Sequence, residues 1–283
     1  MKDYFDGYYF KAQSQEKTLA VIAAYHISNG KASCSVQLIS DSGVWSTVYP
    51  GEKFHKARSG IGMRLCGSVF TEKGLRLDID TEGLRVTGGL KFGSLSPIRY
   101  DIMGPFRFVP FMECRHTVVS MRHRVDGCIV INGEEYRFSD AVGYIEGDRG
   151  TSFPKVYSWT QCNFENGSLM LSVADIPIGS LHFTGLIGVI MRGENEKRIA
   201  TYLGARAVKI KSGELVVKQG KTVFTAKLIE KRGRPLAAPV SGSMIRTIHE
   251  SACCRAEYRL TENGIETFAL DTDRASFEYE FPE

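Results

Sequence analysis

Residues 64–92 read RLCGSVFTEKGLRLDIDTEGLRVTGGLKF, and their alternation decides the fold class. Leu75, Leu77 and Ile79 alternate with Arg76, Asp78 and Asp80. Successive side chains of an extended chain point to opposite faces, so this segment has one wet face and one buried face. Glu72-Lys73-Gly74 and Asp80-Thr81-Glu82-Gly83 bound it as turns. Arg64–Thr71, Leu75–Ile79 and Leu84–Phe92 are therefore three strands of a meander. Gly88-Gly89 reads as a kink in the last of them, not as a phosphate cradle.

The same period of two runs along the whole chain, and helical period is almost invisible. Before the meander, strands are expected over Thr18–Tyr25, Ala32–Ile39 and Val44–Tyr49. After it they are expected over Thr117–His123, Cys128–Ile131 and Glu134–Phe138, with Asn132-Gly133 as the hairpin turn. Further strands fall near Ser168–Val173, Ser180–Met191, Arg198–Lys211, Glu214–Lys218 and Thr222–Glu230. The Pro- and Gly-containing Arg232–Ser243 reads as a linker, and Cys253–Leu260, Ile265–Leu270 and Ser276–Phe281 close the chain. Many short strands without crossover helices point to antiparallel barrels or a sandwich. The expected boundary lies near Ser139–Val142, giving domains 1–140 and 141–283.

Composition is that of ordinary globular protein: 283 residues, 43% hydrophobic and 24% charged. Net charge is +4 with no block of like charge, so the sequence offers no electrostatic footprint for nucleic acid. The longest apolar run, around Leu181–Met191, is broken by Gly185 and Gly188 and is too short for a membrane span. The first residues, MKDYFDGYYFKAQ, lack an apolar signal core. Seven cysteines in no regular spacing read as reduced thiols, so a cytoplasmic location is expected.

Chemistry concentrates in residues 143–163, GYIEGDRGTSFPKVYSWTQCN. Read as extended chain, Tyr144, Glu146 and Asp148 share one face. After a turn region over Gly147–Pro154, Tyr157, Trp159, Gln161 and Asn163 share another. A bulky aromatic face that also carries amides suits a barrel interior holding a ligand. The plain alternative is a hairpin with an acidic, glycine-rich turn. Cys114 and His116 alternate onto one face, and without a second pair of ligands a hydrogen-bonded core histidine outweighs a zinc site. Glu113 most simply pairs with Arg115. No nucleophile elbow, P-loop or dinucleotide fingerprint is present.

MGPFRFVPFMECRH (residues 103–116), the 143–163 stretch and RPLAAPVSGSMIRTI (residues 234–248) resemble the tocopherol cyclase family. The central block is similar, more distantly, to carotenoid hydratase and lipocalin-like hydrolase relatives, through Glu146, Gly150, Trp159 and Gln161. The resemblance implies two lipocalin-like antiparallel β-barrels in tandem, with a hydrophobic isoprenoid substrate. It also implies cofactor-independent chemistry in which a prenyl double bond is protonated and a phenol oxygen captures the cation as a chromanol ring. Glu146 is then the expected acid, its proton held by burial, and Asp148, about 7 Å along the strand, either takes back the phenol proton or shares one with Glu146. Tyr144, Tyr157 and Trp159 would face the cation, and Gln161 and Asn163 would orient the hydroxyls. Phe153, Glu113 and His116 complete the expected lining, with no metal and no cofactor. Arg149 departs from the family's aromatic at that position, so it is expected either to pair with Glu146 or Asp148 or to mark a different substrate. Lack of a transit peptide suggests a bacterial protein. The rival expectation is a lipocalin-like carrier or sensor that binds a hydrophobic molecule unchanged.

Overall fold

The computed structural model describes residues 2–110, 112–178, 181–230 and 233–282. Eleven strands form the first sheet. They are β1 (Tyr4–Gln13), β2 (Thr18–Ser28), β3 (Lys31–Ser40), β4 (Val44–Pro50), β5 (Phe54–Lys56) and β6 (Met63–Leu65), then β7 (Ser68–Thr71), β8 (Gly74–Thr81), β9 (Leu84–Phe92), β10 (Cys114–Ile131) and β11 (Glu134–Gly150). The second sheet holds β12 (Tyr157–Phe164), β13 (Gly167–Ile178), β14 (Leu181–Arg192), β15 (Asn195–Ala200) and β16 (Ala205–Lys211). It continues with β17 (Glu214–Gln219), β18 (Thr222–Glu230), β19 (Arg234–Val240), β20 (Ser243–Glu262) and β21 (Ile265–Tyr279).

Neighbours in the first sheet run β4-β3-β2-β1-β11-β10-β9-β8-β7-β6-β5. The second runs β15-β14-β13-β12-β21-β20-β18-β17-β16, with β19 paired to β20. The all-β, antiparallel class read from the sequence holds. Each hydrogen-bonding path is open, so ring closure by pairing is not found among the described residues.

Two units divide the chain. The first comprises Met1–Ile98, Glu113–Phe153 and Ala237–Arg246; the second comprises Arg99–Met112, Pro154–Leu236 and Thr247–Glu283. The expected boundary between residues 140 and 141 falls inside β11. Asp140 takes a left-handed φ of 51°, but the ladder continues past it to Gly150, paired with β1 on one side and β10 on the other. Glu146 and Asp148 therefore belong to the first sheet, and the expected turn at Gly147 is strand. Arg232–Ser243 is also not a plain linker, since β19 occupies most of it. Its Pro235 and Pro239 fit a strand paired on one side, where a missing N–H costs no ladder bond.

In the first unit most of β1, β2 and β3 and the 141–147 part of β11 are buried on both faces. One face, with Phe10, Ala12, Leu19, Val21, Val36, Leu38 and Ile145, enters a hydrophobic core closed by Phe70, Leu77, Val86 and Ile129. The other carries Phe5, Tyr9, Lys11 and Gln13 of β1 against Gly150, Glu146, Tyr144 and Val142 of β11. Directly paired residues of an antiparallel ladder share a face. His26, Ala24, Ile22 and Ala20 of β2 extend this surface. It is buried yet rich in polar groups: Lys11, Gln13, His26, Gln37 and Glu146 are each less than one-tenth exposed.

The second unit repeats the division. Cys162, Leu171, Val173, Phe224, Tyr258 and Phe277 build its dry core. Its other buried face carries Tyr157, Trp159 and Gln161 of β12 beside Ser276 and Glu278 of β21.

Candidate functional site

Buried carboxylates need partners, because an ion taken out of water loses its hydration. On the polar face of the first unit the partners form a chain. Tyr144 Oη donates to Glu146 Oε2 at 2.6 Å, two residues along the same face of β11. His116 of β10 sits opposite Asp148 and diagonal to Glu146, since the register pairs His116 with Asp148 and Val118 with Glu146. Its Nδ1 lies 2.9 Å from Asp148 Oδ1. Its Nε2 lies 3.1 Å from Glu146 Oε2, an ion-pair contact that falls short of hydrogen-bond alignment. Cys114 adds an S–H to Asp148 Oδ1 at 3.4 Å. A register shift between Val118 and Ser120 bends β10 just beyond His116.

Burial alone would strip the His116 proton, but the charges of Asp148 and Glu146 and the hydrogen bond to Asp148 outweigh it. The imidazolium is held well above the usual histidine range. Tyr144 is pushed well up by burial and by the Glu146 charge, so it stays a phenol that donates. Burial and Asp148 likewise keep Cys114 a thiol. The chain is graded in exposure. The Asp148 side chain is 23% exposed, His116 10% and Glu146 8%, and Tyr144 is fully buried. A proton accepted at Asp148 thus has a hydrogen-bonded partner leading inward.

One His nitrogen and two carboxylate oxygens lying within 4.8 Å of one another also form a possible cation-binding group. The two ring nitrogens, however, are turned to different carboxylates, which is the arrangement of a bridging imidazolium. A metal on Nε2 would have to replace the Glu146 contact and take the ring neutral.

The expected site residues divide between the units. Tyr144, Glu146, Asp148 and His116 come together as described, and Phe153 meets Phe5 edge-on at 5.4 Å beside them. Tyr157, Trp159, Gln161 and Asn163 lie on the second unit's buried face. There Tyr157 donates to Glu278 Oε2, and Gln161 Nε2 donates to Ser168 Oγ at 3.3 Å. Both amide atoms of Asn163 are buried without a partner among the described residues.

Two expected members lie elsewhere. Arg149 is exposed and points away from Glu146 and Asp148, because one residue of strand reverses the face. The expected pairing of Arg149 with those acids is not seen among the described residues. Glu113 precedes β10 and is exposed; its carbonyl receives the Thr151 and Ser152 N–H groups. His116 is a buried, hydrogen-bonded histidine, and the ladder sets it between two acids. Sequence reasoning also missed Tyr9 and Lys11, which β1 brings against Glu146 and Tyr144.

Comparison with known proteins locates the resemblance. Residues 85–201 match the tocopherol cyclase-like family. The tocopherol cyclase-like stretch contains His116, Tyr144, Glu146, Asp148, Trp159 and Gln161, whereas residues 234–248 lie outside it. No curated protein matches the sequence. Among solved structures, one assigned as AttH from Nitrosomonas europaea superposes with a TM-score of 0.56 at 12% identity, over 100% of this chain and 93% of that one. Kievitone hydratase from Nectria haematococca gives 0.55 at 11%, over 99% and 89%. CghA crystallised with Sch210972 gives 0.62 at 10%, over 99% and 89%. These likenesses establish a shared fold. Among the described residues no helix is long and apolar enough to cross a membrane.

Proposed function

We propose that the protein is an acid–base catalyst acting on a hydrophobic, isoprenoid-type small molecule. The observation that carries this reading is the buried chain Tyr144–Glu146–His116–Asp148, with the imidazole set between two carboxyl groups. Such a chain both stores a proton away from water and has a base ready to receive one. The tocopherol cyclase-like stretch and the hydratase among the structural neighbours support addition to a carbon–carbon double bond as the reaction class.

In the cyclising form of the reaction, the His116–Glu146 pair gives a proton to one alkene carbon, and the π electron pair becomes the new C–H bond. The adjacent carbon is left cationic. A phenol oxygen of the same molecule supplies the pair of electrons for the C–O bond, and its proton returns to the vacated base. Atoms and charge balance within one substrate, and no electron donor or acceptor is required. Asp148 fixes the imidazole's orientation and reconnects it to solvent; Tyr144 holds Glu146 in place. A carbocation also gains from nearby aromatic faces, and Tyr9 and Tyr144 supply two on this surface.

Incubating the protein with a geranyl-substituted hydroquinone and assaying chromanol tests the reading. Product that vanishes in Glu146→Gln supports it. A ligand recovered chemically unaltered after long incubation favours a carrier instead.

A further inference from the structure

The sequence places a cation, Arg149, beside the acids, and the fold turns that side chain outward. It supplies a different one. Lys11 of β1 is 1% exposed, among the largest fully buried side chains of the protein. It stands directly across the β1–β11 ladder from Tyr144, while its neighbour on the same face, Tyr9, stands across from Glu146. Paired Cβ atoms in such a ladder are about 5 Å apart and diagonal ones about 7 Å, so Lys11 shares its surroundings with both Tyr144 and Glu146. Ala20, Ile22 and Gln13 also lie near it on this face.

An ammonium is a compact, strongly hydrated charge, and lysine is rarely buried to this degree without anionic surroundings. Lys11 stands diagonal to Glu146 across the β1–β11 ladder, so it is a cation that this face sets beside the acid. Its charge also has a sign that matters to a reacting molecule. A cation opposes a carbocation formed next to it and favours an oxygen that gains negative charge.

We propose that Lys11 is the specificity-determining residue that receives the acidic oxygen of the substrate. The substrate class is a phenol or enol bearing an isoprenoid chain, lying with its oxygen toward Lys11 and its double bond toward the His116–Glu146 pair. A hydrocarbon without such an oxygen is disfavoured. This inference rests on the reading of the polar face as the substrate site, and it adds the direction in which the substrate lies.

The test is binding, followed by the quenching of tryptophan fluorescence, of geranylhydroquinone and of its dimethyl ether. The wild-type protein is expected to hold the hydroquinone about tenfold tighter, since hydrogen bonds to a charged donor are stronger than neutral ones. Lys11→Met should bring the ratio below about twofold, and Lys11→Arg should retain most of it. Circular dichroism and thermal melting check that the variants fold. Equal binding of the two ligands by the wild-type protein overturns the proposal without any variant, as does an unchanged ratio in a folded Lys11→Met. Glu146→Gln separates the two readings. Preference for the hydroquinone with no turnover in any form would sink acid catalysis and leave Lys11 in its role; turnover without preference would do the reverse.

Discussion

His116 faces Asp148 directly across the β10–β11 ladder, its Nδ1 2.9 Å from the carboxylate, and so presents its other nitrogen to Glu146. One register position thereby joins two acids that a strand holds two residues apart. The imidazole can neither titrate nor turn without disturbing both, which makes the trio a unit in energetic terms.

Glu146→Gln keeps the shape of the acid and removes its proton chemistry. Loss of one positioned acid–base group costs 10²–10⁴-fold in typical cases, so turnover of the prenylated hydroquinone should fall by about 10³-fold. Steady-state assays with a parallel melting curve check this. A folded variant with undiminished turnover removes Glu146 from the mechanism.

Raising the pH should destabilise the protein through His116. The folded-state pKa is raised, so its contribution is complete below the unfolded value of about 6.5 and is lost as pH rises through the folded value. Urea unfolding of wild type and His116→Asn at a series of pH values reads the effect. The gap between them should narrow toward alkaline pH, and turnover should decline over the same range.

Two other histidines work in the opposite direction. Burial lowers His26 and His123 to about 4. Unfolded histidines take up protons first as pH falls below about 6.5, so stability should drop between there and pH 4, by up to about 3 kcal/mol for each ring. His123 Nδ1 lies 3.0 Å from Ser120 Oγ, its edge meets Phe92, and its Nε2 has no partner among the described residues. Unfolding measured from pH 7 to 4 should show uptake of about two protons through these rings; a flat profile would contradict their neutral burial.

Tyr144→Phe removes the hydroxyl that donates to Glu146 and leaves a buried carboxylate short of one bond. The expected cost is about 1–3 kcal/mol of unfolding free energy, measured by urea titration.

Chelation should leave turnover unchanged if His116 bridges by protons. Metal analysis of purified protein, followed by EDTA dialysis and assay, decides between the bridge and a metal held by His116, Glu146 and Asp148. Activity that disappears on dialysis and returns with zinc would overturn the bridging reading.

Much of the molecule is legible one residue at a time. β8 alternates buried and exposed over Leu75–Asp80 as its sequence does, because only one of its faces is covered. The alternation of Tyr144, Glu146 and Asp148 likewise follows from extended backbone. β1 is different: YFDGYYFKAQ has no period of two, and the structure buries it on both faces, which erases the signal. Missing β1 meant missing Lys11 and Tyr9. The glycines at 147 and 150 suggest a turn, yet Gly147 sits in regular ladder, where a side chain would strike the Tyr8 ring at 2.6 Å.

The sequence by itself determined an antiparallel, all-β chain and the order in which acids and aromatics face one way or the other, since alternation along a strand is a property of neighbouring residues. Tertiary structure alone decided which strands lie side by side. It set β1 and β10 on either flank of β11, assigned Tyr157–Asn163 to the other sheet, sent Arg149 outward and brought His116 between two carboxylates. Ladder partners come from residues far apart in the chain, and a shift of one position would have exchanged every face, so only long-range packing could fix them.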